Sequence, residues 1–295
     1  MKVTSDDLYL INLKSYAPRN YGGGVHSVWN RVPVARRLLV FILLFVGKLG
    51  ELRVVLTKRL SKLRNFPGHI LFPGGKADTA LELFWQVARR ETEEEIGISS
   101  DNVVLRKDYG VNLEHINTLP CYLLRTFSAV KPCIGLMSFA KLGLEDEVTR
   151  SINMLLLLNP GESSSVFLCP LRDFLYPECD DAPLESLDRL SYKVQWGKIP
   201  WNLRSYTFPQ AIPNEAEWLR SIEKLSELED SSTESPDSNE ESDEEVARKQ
   251  KQELRQSKKN KLSDWGRLGS RRDSETNEKI YDVWGLTANI LHDLA

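Results

Sequence analysis

The most apolar stretch of the chain runs from Leu38 to Gly47 and reads LLVFILLFVG. Its ten residues are too few to cross, as a helix, a hydrocarbon layer about 30 Å thick. A turn through Gly50 and an alternating segment, LRVVLTKR (52–59), come next. An apolar run, a glycine turn and period-2 alternation are typical of a β-hairpin. The segment is therefore predicted to form a hairpin whose first strand is buried.

A helix is predicted from Thr79 to Ile96. Thr79 and Glu82 have the spacing of a capping box, and the interior contains neither glycine nor proline. Gly97 follows at the position where helices commonly end. The chain between the hairpin and this helix must turn sharply at Gly74 and Gly75.

Several further segments have the patterns of strands, and two of them continue into helices. Strands are predicted in VVLRKDYG (103–110), the apolar segment 120–140 and INMLLLLN (152–159), and strand followed by helix in Ser164 to Leu175 and in the last residues, 280–295. This mixture predicts an α/β sandwich rather than a regular βαβ repeat.

The 295 residues and 41% hydrophobic content are those of a globular protein with one enlarged domain. Residues 1–34 are predicted to be an N-terminal lead-in to a domain over 35–295. The charged segment at about 227–278 has almost no aliphatic residues and is predicted to be a disordered insertion within that domain. A solvated loop is its simplest role, and regulation through phosphorylated serines is the alternative. The net charge of -3 gives no indication of a nucleic-acid partner.

Three acidic residues of the predicted helix, Glu91, Glu94 and Glu95, share one face because they stand at i, i+3 and i+4. Unpaired carboxylates repel one another, so a divalent cation is a natural partner. Arg90, about 100° around the helix from Glu91, can orient an acid from the side. A solvated acidic face is the alternative, but the FPGGK turn (72–76) ahead of the helix favours a site for metal and phosphate.

These residues resemble the signature of the Nudix hydrolases. The matching positions are Gly75, Glu82, Arg90-Glu91, Thr92, Glu94-Glu95 and Gly97-Ile98. The resemblance implies a Nudix fold, in which a mixed β-sheet is sandwiched between helices as an α/β/α sandwich. It also implies an enzyme that hydrolyses phosphoric anhydride bonds with the help of Mg²⁺ or Mn²⁺.

Fourteen residues separate Gly75 from Arg90, one more than usual, which is typical of the coenzyme A diphosphatase branch. The segment 56–76 is similar to a second signature of that branch. The agreeing positions are Thr57, Lys58, Arg59, Arg64, Gly68, Phe72, Pro73, Gly74 and Gly75. Three positions depart from the branch pattern: Leu60 replaces a small residue, Phe66 a histidine, and His69 an acid or amide.

The resemblance implies that Glu91, Glu94 and Glu95 bind the metal, with Arg90 organising them. Glu94 and Arg90 then belong to the catalytic residues. Glu162 matches a glutamate that often serves as a further metal ligand or base, and an exposed turn acid is the alternative.

Substrate binding is expected to involve the cations of the second signature and the glycine turn. Lys58, Arg59 and Arg64 could hold the 3′-phosphate of coenzyme A, although solvated strand-end cations are the alternative. Gly74 and Gly75 bring bare backbone close to the start of the helix, where N–H groups can hold an anion.

The expected function is hydrolysis of coenzyme A or its derivatives to 3′,5′-ADP and a 4′-phosphopantetheine product. One alternative keeps the chemistry but acts on oxidised nucleoside triphosphates or NADH-like dinucleotides. Another is a non-catalytic Nudix module that binds a nucleotide or a protein. With no signal peptide at Met1, an intracellular protein is expected. The resemblance indicates the peroxisome, and the cytosol and mitochondrion remain open because the terminal HDLA is not an SKL-type address.

Overall fold

The computed structural model describes residues 5–18, 28–47, 49–79, 81–124, 126–139, 162–175, 184–196, 199–210, 273 and 276–295. The predicted strand 152–159 and nearly all of the predicted insertion lie outside these residues.

Within the described part of the chain, the main sheet contains eight strands. They are β1 (Arg37–Val46), β2 (Leu52–Arg59), β3 (Ile70–Leu71), β4 (Gly74–Lys76), β5 (Val111–Thr118), β6 (Tyr122–Leu123), β7 (Ala129–Phe139) and β8 (Ser163–Pro170). The central order is β3-β2-β1-β7-β5, with β4 on β1, β6 on β7 and β8 on β2. β1 runs parallel to β7 and antiparallel to β2. The sheet is therefore mixed, and the predicted hairpin of β1 and β2 is confirmed.

Both faces of β1 are buried, which explains why its sequence is continuously apolar. Phe41 and Leu43 pack on one face with residues of the helix that follows β4. Ile42 and Leu44 pack on the other face in a second cluster. The apolar run therefore places the central strand of the sheet between two hydrophobic layers.

Among the described residues, five α-helices accompany the sheet. They are α1 (Ser5–Ser15), α2 (Val28–Arg31), α3 (Phe84–Ile96), α4 (Asn102–Tyr109) and α5 (Gly285–Leu294). α3 lies over the face of β1 that carries Phe41. α1 contacts β5, where Asn117 donates hydrogen bonds to the carbonyls of Leu13 and Tyr16 at 2.8 and 2.6 Å. The fold is α/β with helices flanking a mixed sheet, as predicted.

A second, three-stranded antiparallel sheet covers the face opposite α3. Its strands are β9 (Asp188–Trp196), β10 (Ile199–Pro209) and β11 (Ile280–Trp284), in the order β11-β10-β9. Phe208 of β10 and Tyr281 of β11 both contact Phe167 of β8. The strand and helix predicted at the end of the chain are confirmed as β11 and α5, and they complete the core.

Two predictions of local structure were wrong. The segment 103–110, predicted to be a strand, lies in helix α4, because the Asp101 side chain accepts a hydrogen bond from the Val103 N–H and caps a helix. α3 begins at Phe84 rather than at Thr79. The Glu82 carboxylate instead accepts the N–H groups of Asp78 and Thr79 in a turn before the helix.

The segment 120–140, predicted as a strand region, is divided by a turn into β6 and β7. Ser164 to Leu175 forms β8 followed by a short 3-10 helix, as predicted. None of the helices in the described part of the chain has the length and apolar character needed to cross a bilayer.

Candidate active site

Two glycines form the floor of the candidate active site, where β3 turns into β4. Gly74 has φ of +151° and packs so closely on β1 that a Cβ atom would collide with the carbonyl of Leu39. A Cβ atom on Gly75 would overlap the carboxylate of Glu91. A larger residue at Gly74 would collide with the backbone of β1, and one at Gly75 would displace the Glu91 side chain, so both positions require glycine.

Arg90 is the centre of an ion-pair network between α3 and this turn. Its Nη1 lies 3.0 Å from Glu91 Oε1 and 3.3 Å from Glu94 Oε1. Its Nη2 donates a hydrogen bond of 3.0 Å to the carbonyl of Lys76. Glu82 and Asp78 lie at 3.5 and 3.6 Å from the same guanidinium. Arg90 therefore binds acids of α3 and of the segment that precedes it.

Glu95 is the most buried acid of the site, with a relative exposure of 6%. Its Oε2 accepts a hydrogen bond of 3.4 Å from the Gly74 N–H. The pKa of Glu95 is raised to about 8, first by its burial and next by the charge of Glu162. The fold thus brings this carboxylate into a position where a positive partner would stabilise its charged form.

The acids influence one another beyond their contacts with Arg90. Burial raises the pKa of Glu91, and the charges of Glu94 and Glu162 raise it further against the opposing effect of Arg90. Glu162 is exposed just before β8. Because its charge raises the pKa of both Glu91 and Glu95, it lies within electrostatic range of these two acids. The structure gathers all four predicted acids in one region.

The arrangement of these acids can be compared with what a metal ion needs. Among the described residues, no three His, Cys, Asp or Glu side chains converge as a ready metal site, and Glu91 and Glu94 are paired with Arg90. The donor type nevertheless fits a hard divalent cation, which prefers carboxylate oxygens. Mutual repulsion among Glu91, Glu95 and Glu162 is the condition that such a cation relieves.

The three predicted basic residues, Lys58, Arg59 and Arg64, have different surroundings. The charge of Arg59 lowers the pKa of Glu95 against the larger effect of burial, so this guanidinium lies within electrostatic reach of the acids. Lys58 Nζ is 5.8 Å from the centre of the Tyr281 ring. Arg64 is exposed in the loop between β2 and β3.

Some features of the site had no signal in the sequence pattern. Asp78 and the Lys76 carbonyl join the Arg90 network because the turn before α3 folds back over the helix. Tyr281 reaches Lys58 from β11, far away in sequence. A regular sequence spacing could reveal neither contact, since both depend on tertiary packing.

Residues 35–182, half of the chain, match the model of the NUDIX domain, so the chain belongs to the Nudix family. Members of this family generally use divalent metal ions.

Peroxisomal coenzyme A diphosphatase 1 of Saccharomyces cerevisiae is 45% identical over 212 residues, which are 68% of this chain and 62% of that protein. Mitochondrial Nudix hydrolase 15 of Arabidopsis thaliana is 36% identical over 143 residues, 48% of this chain and 43% of that protein. This chain thus covers less than two thirds of either relative. A solved C. elegans Ap4A hydrolase overlays on 46% of this chain and 80% of its own at a TM-score of 0.32 and 17% identity, a likeness too weak to support an argument about substrate.

Proposed function

We propose that this chain is a metal-dependent diphosphatase that cleaves coenzyme A or a derivative to 3′,5′-ADP and a 4′-phosphopantetheine product. The observation that carries the proposal is the crowding of carboxylates at the glycine turn. Glu95 is almost fully buried, and its pKa is raised first by that burial and then by the charge of Glu162. Such a group gains most from a divalent cation, and a cation beside a phosphate-binding turn supports diphosphate chemistry.

In this mechanism Glu91, Glu94 and Glu95 would hold Mg²⁺ or Mn²⁺. When bound, the ion supplies charge neutralisation to the diphosphate and activation of a water molecule. Arg90 acts as an organiser, because its guanidinium already holds Glu91 and Glu94 on the side of α3 that faces the turn. Glu162 is the proposed further ligand or base, since it lies near the other acids and is itself exposed to solvent.

The substrate would lie between the acids and the basic end of β2. Arg59 fits a phosphate contact best, because it reaches the electrostatic field of the site and guanidinium groups bind phosphates bidentately. Lys58 and Arg64 are proposed to complete the contact with the 3′-phosphate. Gly74 and Gly75 allow close approach of the turn, and the Gly74 N–H orients Glu95 at the same time.

A metal-dependence assay on coenzyme A, with the products identified by mass, tests the proposal. Glu94→Gln should lower kcat by about 100-fold or more, because a neutral amide is a poor ligand and the change costs several kcal/mol of transition-state stabilisation. Glu93→Gln is the matched control. Glu93 lies on the exposed side of α3, where its carboxylate accepts the Ser100 N–H at 2.9 Å. Equal activity of the two variants would contradict the role of Glu94.

The alternatives give different outcomes in the same assay. Faster turnover of oxidised nucleoside triphosphates or of NADH than of coenzyme A would keep the chemistry and change the substrate. No turnover of any nucleotide would support a non-catalytic binding module. The name of the yeast relative favours coenzyme A.

The proposed compartment is the peroxisome, after the name of the yeast relative. The mitochondrial name of the Arabidopsis relative keeps the mitochondrion as an alternative, together with the cytosol. Imaging of the native protein with an antibody distinguishes the three.

A further inference from the structure

A row of three aromatic rings lies beside the basic end of β2. The ring centres of Phe66 and His69 are 5.4 Å apart, and those of His69 and Trp284 are 5.1 Å apart. Phe66 and His69 belong to the loop between β2 and β3, whereas Trp284 is the last residue of β11. We call these three residues the aromatic row. Tertiary folding builds it from two distant parts of the chain.

Phe66 is held in an unfavourable state. The residue is 51% exposed, and its φ of +53° lies in the left-handed region that bulky residues rarely adopt. The loop is nevertheless ordered by backbone hydrogen bonds, from Gly68 N to the Leu60 carbonyl at 3.4 Å and from His69 N to the Phe66 carbonyl at 3.3 Å. The ordered loop therefore holds an apolar side chain at the surface, where it is accessible to a ligand.

The aromatic row is joined directly to the candidate active site. The Arg59 N–H donates to the carbonyl of His69 at 2.9 Å, and the Leu60 N–H donates to the carbonyl of Glu162 at 3.1 Å. Arg59 lies within electrostatic reach of both His69 and Glu95. A ligand that placed a phosphate near Arg59 would therefore bring the group attached to that phosphate close to this loop.

We propose that the aromatic row stacks on the purine base of the substrate, with Phe66 as the outermost ring. This inference rests on the proposed function, because it assumes a substrate that carries a nucleotide. An aromatic ring and a cation in one loop, Phe66 and Arg64, with Arg59 at the adjoining end of β2, are the combination that binds a base together with its phosphates.

The experiment compares two ligands by calorimetry, 3′,5′-ADP and the matching ribose 3,5-bisphosphate that lacks adenine. The ratio of their Kd values measures the contribution of the base alone. Stacking on an aromatic side chain should make 3′,5′-ADP bind about tenfold more tightly in the unmodified protein. Phe66→Leu should bring the ratio close to one without changing the Kd of the abasic ligand. Phe66→Tyr, which keeps the ring, should retain the ratio.

Phe127→Leu is a matched control. Phe127 is also exposed, at 62%, and also has a positive φ, of 58°, but it lies in the turn between β6 and β7. Circular dichroism establishes that each variant is folded.

The proposal is overturned if Phe66→Leu keeps the ratio of the unmodified protein, or if the unmodified protein shows no preference for the ligand with the base. It is supported if Phe66→Leu alone loses the preference and Phe127→Leu does not. Turnover of coenzyme A by the unmodified protein is scored separately. If the unmodified protein does not hydrolyse coenzyme A but still prefers the ligand that carries the base, the proposed substrate is rejected. The proposed role of the aromatic row in binding the base is then retained.

Discussion

Arg53 and Arg90 each hold several carboxylates, but they differ in burial and in charge balance. Arg53 is fully buried on β2, and it binds Glu51 and Glu185 at 2.8 Å each. Arg90 has a side chain 28% exposed and contacts of 3.0 to 3.6 Å. Short, buried pairs are typical of a structural tie, whereas the longer, half-exposed pairs with an excess of acids are the basis of the proposed metal site.

The groups of carboxylates around Arg53 and Arg90 share one structural feature. A Cβ atom on Gly47 would meet the carboxylate of Glu51, and a Cβ atom on Gly75 would meet that of Glu91. Each glycine therefore makes room for an acid that binds the arginine. The cluster around Arg53 has an additional support. The carboxylate of Asp173 accepts the N–H groups of Glu185 and Ser186 at 2.8 and 2.7 Å and so holds Glu185 in place.

The largest effect is expected from Arg53→Ala. The change leaves Glu51 and Glu185 buried without their cation, which should lower the free energy of unfolding by about 3–5 kcal/mol. Urea denaturation measures it. Arg106→Ala is the control, because Arg106 is exposed and makes one hydrogen bond of 2.9 Å to Asn112. A loss no greater than that of the control would show that the buried cluster is not a structural tie.

Next in size is the contrast between Gly75→Ala and Gly47→Ala. The added methyl group of Gly75→Ala should displace Glu91 and lower kcat/KM by about tenfold, roughly 1.4 kcal/mol, with little change in stability. Gly47→Ala should lower the free energy of unfolding by about 1–3 kcal/mol through overpacking and leave kcat/KM unchanged. Activity assays and urea denaturation give kcat/KM and the free energy of unfolding for each of the two variants. The comparison fails if both variants change the same quantity.

A smaller effect is expected in the pH dependence of stability without metal. The pKa of Glu95 in the folded protein is about 8, well above its ordinary value of 4.5. The folded state therefore keeps a proton that the unfolded state loses, so stability should fall as pH rises from about 4.5 through about 8. Thermal unfolding across this range should show a Tm loss of several degrees, at roughly 2–4 °C per kcal/mol.

Two changes should remove that loss of Tm. In Glu95→Gln, no carboxyl remains to titrate at this position. Added Mg²⁺ should raise the Tm of the unmodified protein most at high pH, where the carboxylate is charged. An unchanged pH profile in Glu95→Gln would assign the effect to other groups.

The smallest effect is expected on the stability of Glu94→Gln. Glu94 contributes a half-exposed pair with Arg90 at 3.3 Å, and exposed ion pairs contribute little to folding. The free energy of unfolding should change by less than about 1 kcal/mol although activity is lost. A larger change in urea denaturation would make the Arg90 cluster structural, like that of Arg53.

The sequence predicted what depends on local spacing. The i, i+3 and i+4 positions of Glu91, Glu94 and Glu95 follow from helix geometry, and the buried strand β1 follows from its continuous apolar character. Local rules were insufficient where two signals competed. The β-branched pair Val103 and Val104 favoured a strand. The structure has a helix instead, because the Asp101 side chain accepts the Val103 N–H and caps it.

Contacts between distant residues could not be predicted at all. Arg53 meets Glu185 across 132 residues, and His69 meets Trp284 across an even longer separation. The hairpin of β9 and β10 was not foreseen either, because its outer part is mostly exposed and lacks a clear apolar pattern. Such features arise only when the sheet and its second layer assemble.

The packing of β11 and α5 has a consequence for how the protein is made. Residues such as Tyr281, Val283, Leu291 and Leu294 complete the cluster that covers β1 and β2. While a ribosome is still synthesising residues before 280, the nascent chain therefore leaves part of this cluster uncovered. Chaperone capture during translation should be strongest over that interval, and it should end when β11 and α5 become available to pack.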